Sequence, residues 1–130
     1  DSKPTYHYNC FGQYLTTIRA KEPLDDGDHE ILIDYQHDGG FGAGGLATLY
    51  VDGEPVNSGR IERTVPIIFS MSGETFDVGV DTGAPVGPYP HGYPFSGEIH
   101  EVVLERVSRH DRETRRKMKD GLKQAGLRSQ

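Results

Sequence analysis

Asp52-Gly53 sits between two short runs of alternating character, and that arrangement constrains the fold more than any other stretch. Ala47-Thr-Leu-Tyr-Val51 leads in, Pro55-Val56 starts the return, and the Asp-Gly pair suits a two-residue hairpin turn. A second clean strand is predicted over His29–Tyr35, with Ile31, Ile33 and Tyr35 on one face and Glu30, Leu32 and Asp34 on the other. Further extended runs are expected at Tyr6–Phe11 and Tyr14–Arg19, broken at Gly12-Gln13, and at Ser58–Thr64, Pro66–Phe69 and Thr75–Val80. A last strand is expected over Phe95–Val107, where Ile99 and Val103 alternate with Val102 and Leu104. Seventeen glycines and eight prolines punctuate these runs. The pattern is that of an all-β, antiparallel domain with many turns. At 130 residues the chain is one domain, long enough to bury about two-thirds of its unfolded surface.

After Val107 the period changes. Ser108-Arg-His-Asp111 resembles a capping box, and Thr114, Met118, Leu122 and Ala125 form a narrow stripe at helical spacing. The expected organisation is therefore a β-sandwich domain over 1–107 and a basic C-terminal α-helix or tail over 108–130. Charge divides in nearly the same place: residues 1–105 carry 17 acidic and 5 basic side chains, residues 106–130 carry 3 and 9. An acidic body argues against nucleic acid as a partner, and a salt-linked helix packed on that body, or docked on a neighbour, is the simpler use of the basic tail. No run approaches membrane-spanning length, so no membrane partner is expected. The start at Asp1 suggests a processed or excised segment. Compartment stays open among periplasmic, secreted and cytoplasmic, because the single Cys10 cannot form an internal disulfide.

The motifs for chemistry are thin. Gly39-Gly-Phe-Gly-Ala-Gly-Gly45 leads into a strand rather than a helix, with no Gly-Lys-Ser/Thr, so it reads as a flexible turn and not a phosphate loop. The histidines 7, 29, 37, 91, 100 and 110 show no metal-ligand spacing. Ser70 and Ser72 lack a nucleophile-elbow setting, and Cys10 in an aromatic strand reads as a small buried apolar residue. Asp34, Glu98 and Glu101 suit a solvated face better than a carboxylate pair across a cleft. Asp77 and Asp81 are the candidate metal ligands, and calcium the one cofactor they suggest; ordering of the loop through side-chain to backbone bonds is the competing and preferred role. That loop, Asp81–Pro94, holds four prolines in fourteen residues, which excludes a sheet interior. Tyr89, His91, Tyr93 and Phe95 form the expected ligand or contact surface.

Tyr8-Asn-Cys-Phe-Gly12, Asp38–Gly45, Ala47–Glu54, Gly59–Thr64, Glu74–Gly79, Asp81–Val86 and Phe95–Ile99 together resemble, in the same order, the C-terminal region of bacterial arylsulfatases. Phe95-Ser-Gly-Glu-Ile99 also resembles the last strand of laminin-G-like sandwiches. The resemblance spans nearly all of 5–105 and implies a concanavalin-like jelly-roll. It also implies that the chemistry lies elsewhere. The sulfatase nucleophile stands in Cys/Ser-x-Pro-x-Arg, whereas Cys10 is followed by Gly12 where Pro and Tyr14 where Arg is required. No catalytic residue carries over. What is implied is an accessory domain of a sulfuric ester hydrolase, with the sulfatase catalytic domain as partner.

Similar sulfatases have a further strand before the segment that starts here at Lys3-Pro4. The sandwich is thus expected to expose an edge that pairs with a copy of itself, or to be the ordered part of a larger protein. Two alternatives stand beside this reading: a free-standing carbohydrate-binding module with a glycan as partner and calcium at Asp77 and Asp81 helping to order the loop, and a structural assembly module.

Overall fold

The computed structural model describes residues 2–66, 76–108, 111–114 and 117. The expected strands at 67–69 and at 75, Ser70 and Ser72, and the helical stripe residues Met118, Leu122 and Ala125 lie outside them. By contacts the chain divides into two units, 1–96 and 97–130, eleven residues earlier than the change of period suggests.

The first unit is all-β and built from two antiparallel sheets. β1 (Thr5–Cys10) and β2 (Tyr14–Arg19) form a two-stranded sheet in the register Thr5↔Arg19 to Cys10↔Tyr14. β3 (Ile31–His37), β4 (Ala43–Val51) and β5 (Glu54–Arg63) form a second sheet in that order. The Asp52-Gly53 turn joins β4 to β5, and its two residues have φ of 50° and 80°. Both values lie in the left-handed region that a type I′ turn demands, where Asp and Gly are tolerated best. A bulge follows at Leu49/Tyr50, where Leu49 faces Asn57 but Tyr50 faces Pro55.

The two sheets pack face to face, sandwich-like, β2 lying over β4 and β5. Period two decides which side chains meet. Ile18 from β2, Ala47 and Leu49 from β4 and Ile61 from β5 are buried, joined by Ala20, and Tyr6, Tyr8, Ile33, Tyr35 and Val56 close the margins. Ile18 lies directly over Gly59, where a Cβ would stand 2.9 Å from its Cγ1. The cross-links between sheets are polar: Asn57 Nδ2 donates to Arg19 O at 2.8 Å, and Val65 N donates to the Tyr8 hydroxyl at 2.8 Å. Cys10 is buried and free, as its aromatic strand suggested.

Two expectations are corrected. The glycine run is not wholly a turn: β4 begins at Ala43, and Gly44 and Gly45 are buried within it. Gly45 lies against the Tyr35 ring, where a Cβ would come within 2.7 Å of Cε2. Glycines in a strand allow such close approach, which composition alone reads as flexibility.

The last expected strand, Phe95–Val107, does not form. The described part of Thr75–Val80 makes only an isolated Val80↔Pro94 bridge, just before that segment, and no ladder continues through 95–108. Val103 and Leu104 remain 64% and 80% exposed. Alternation marks a segment able to pair, but a strand exists only where a neighbour takes its amides and carbonyls.

In the second unit, residues 111–114 are helical. Asp111 N donates to Ser108 Oγ at 3.1 Å and Arg112 N to Ser108 O at 3.0 Å, the N-terminal cap the sequence suggested. Among the described residues no helix is long and apolar enough to cross a membrane.

Candidate functional site: a pinned aromatic loop

The segment 76–95 has almost no regular structure, so its backbone polar groups must be met by side chains. Asp77 and Asp81 do most of this. Asp77 Oδ2 accepts from Thr82 N at 2.8 Å and from Thr82 Oγ1 at 2.7 Å. Asp81 Oδ1 accepts from Gly83 N at 3.2 Å, an Asx turn, while its Oδ2 accepts from the Tyr89 hydroxyl at 2.7 Å. The same hydroxyl accepts from Val86 N at 3.1 Å. Burial, and then the bond to Asp81, hold the Tyr89 phenol above its ordinary pKa, so it stays protonated and keeps donating.

The loop is also tied down on β1. Asn9 Nδ2 donates to Val86 O at 3.1 Å, and the His7 and Tyr89 rings lie 6.1 Å apart at a 43° tilt. Gly87 lies against the His7 ring, where a Cβ would stand 2.7 Å from Cγ and Cδ2. Burial lowers the His7 pKa, which keeps the ring neutral beside the loop. The far end closes with Phe95 N donating to Gly79 O at 2.7 Å next to the Val80↔Pro94 bridge.

The sequence candidates therefore separate. Tyr89 is half-buried and anchors the loop from inside. His91 lies exposed in a turn, and Tyr93 and Phe95 are 65% and 59% exposed. Pro94, between them in the chain, makes the isolated bridge to Val80. Phe76 and Val78, at 70% and 49% exposure, extend the apolar surface of this segment. Phe76, His7 and Asn9 are site residues that sequence reasoning missed. No local signal links Asn9 to a loop 77 residues away.

Asp77 Oδ2 and both carboxylate oxygens of Asp81 accept from the loop's own donors, and among the described residues no three of His, Cys, Asp and Glu gather as a metal-binding group. Loop ordering, the preferred reading of these aspartates, is what the geometry displays. Tyr89→Phe removes one charge-assisted bond and one acceptor for Val86 N. It is expected to destabilise by about 1–2 kcal/mol and to speed amide exchange at Val86 and Gly83; unchanged exchange would mean the phenol does not hold the loop.

No family model, curated protein or solved structure matches the chain.

Proposed function

We propose that the chain is a non-catalytic accessory domain, a concanavalin-like jelly-roll akin to the C-terminal region of bacterial arylsulfatases. It supports a sulfuric ester hydrolase's catalytic domain, through its substrate access or its assembly. One observation carries the reading: a segment ordered by internal hydrogen bonds at Asp77 and Asp81 leaves Tyr93 and Phe95 exposed, and Phe76 at its start is exposed as well. Large rings left in water add little to the stability of their own domain, whereas on a pre-ordered loop they are ready anchors for a second surface. The ordered motifs from Tyr8 to Ile99 support a sulfatase catalytic domain as that surface. Among the described residues each strand of the β1–β2 sheet has a partner on one side alone. This supports edge pairing with a copy as the route of assembly.

The test is an immunoblot of producing cells with an antibody against this domain, followed by immunoprecipitation and assay on a generic aryl sulfate. The expected result is a band several times larger than 14.4 kDa with aryl-sulfate hydrolysis in the precipitate. A band of this size alone, with no hydrolysis, overturns the proposal.

The exposed Tyr93 and Phe95 favour a second reading, stacking on the apolar face of a sugar ring. It predicts weak glycan binding, measured with and without calcium. Under either reading Tyr93→Ala is expected to weaken capture of the ligand about tenfold, on the order of 1.4 kcal/mol, with the thermal midpoint unchanged. A glycan array without binding disposes of the second reading only.

A further inference from the structure

His29 lies two residues before β3, and both of its ring nitrogens face oxygen. Nδ1 is 2.8 Å from Asp52 Oδ2, and Nε2 is 3.0 Å from the backbone carbonyl of Asp25. The Asp52 carboxylate receives a second donor, Glu30 N at 2.9 Å on Oδ1, and Asp52 N donates back to Glu30 O at 2.9 Å. An ionised carboxylate and a peptide carbonyl accept hydrogen bonds and cannot donate them. Each contact therefore needs a proton on the nitrogen. Neutral imidazole has one N–H and imidazolium has two. Only the charged ring makes both bonds.

We propose that His29 is a proton-operated clasp: as imidazolium it ties the Asp52-Gly53 hairpin turn to the segment before β3, and loss of its proton releases one of those two ties. The charges acting on the ring from the elements around it are Asp52, on the turn, and Asp25, on the preceding loop. Both are acidic. The bond to Asp52 foremost, and then that to the Asp25 carbonyl, raise the His29 pKa, while partial burial opposes them. The bond to His29 in turn lowers the Asp52 pKa.

The signs define a window. A raised histidine contributes fully below its unfolded value, about 6.5, and loses that contribution as pH rises through the folded value. A lowered aspartate contributes above its unfolded value, about 3.9, and loses it in acid. The clasp is complete between these limits, from about pH 4 to 6.5, and opens on the alkaline side.

Asp25 follows Leu24 and Asp52 follows Val51 in the chain, and Leu24 and Val51 are among the residues lining a shallow, mainly apolar cavity of about 300 Å³.

The experiment is long-range proton–nitrogen NMR of the histidine rings in the full chain from pH 4 to 9, with amide exchange at Glu30 and Asp52. Both His29 nitrogens are expected to be protonated at pH 6, with a midpoint above the ordinary histidine value. Beyond the intrinsic pH effect, exchange at the two amides is expected to quicken several-fold across that midpoint. Asp52→Asn keeps a residue suited to the positive φ and is expected to lower the midpoint. His29→Gln, which cannot titrate, is expected to abolish the pH dependence of exchange. A single neutral tautomer at pH 6, a midpoint indifferent to Asp52→Asn, or exchange that keeps its pH dependence in His29→Gln overturns the proposal.

Discussion

Gly44→Ala is expected to lower the free energy of unfolding by about 3 kcal/mol, a large share of what holds a domain of this size. A Cβ on Gly44 would stand 2.7 Å from the carbonyl carbon of Glu62 and against the carbonyl oxygens of Ile61 and Glu62. These are backbone atoms of the neighbouring strand. They cannot swing aside as the end of a side chain can, so relief requires β4 and β5 to separate where they pair. The φ of Gly44 is not positive, so the effect is one of space and not of backbone conformation. Urea unfolding followed by far-ultraviolet circular dichroism measures it, as a lower midpoint at unchanged slope. A midpoint within error of the parent would mean that the strands do not approach so closely at this point.

Leu49→Ala is expected to destabilise by about 3 kcal/mol, within the range of 2–5 kcal/mol for buried leucines. Leu49 is 1% exposed and meets Ile18 and Ile61 where the two sheets face each other. The core cluster is small, and two of its five buried members are alanines. Among the described residues its largest fully buried side chains are Ile18, Leu49 and Ile61, and a gap left by truncating one is filled only in part by its neighbours. Since domains of this size are stable by only about 5–15 kcal/mol, one such cavity removes a substantial fraction. A fall in the urea midpoint at constant slope is the expected readout. A loss below about 1 kcal/mol would show that β2 collapses onto the space and that the sheets are less rigidly spaced than they stand here.

The strands that local pattern identified are those whose partner is close in sequence. β1 and β2 are joined by three residues and β4 and β5 by Asp52-Gly53, so turn chemistry alone sets their pairing and register. The Ser108 cap was equally legible, since all its atoms lie within one turn. Phe95–Val107 has the alternation of a strand and fails to be one, because alternation says nothing about who the neighbour is. Of the candidate site, the exposure of Tyr93 and Phe95 and the ordering role of Asp77 and Asp81 followed from residue type and position. Tyr89 did not follow the same rule: an aromatic residue in a proline-rich loop faces out unless a partner draws it in, and here Asp81 and His7 do so.

The amino-acid sequence alone settled the all-β class, the hairpin turns and the change to a basic segment after the acidic body, for these depend on composition and on neighbours within a few residues. Contacts between distant residues were settled by folding. Ile18 over Gly59, Gly87 against His7, and His29 held between Asp25 and Asp52 bring together groups whose individual propensities carry no information about one another. Packing density and hydrogen-bond valence operate in space, and no periodicity along the chain encodes them.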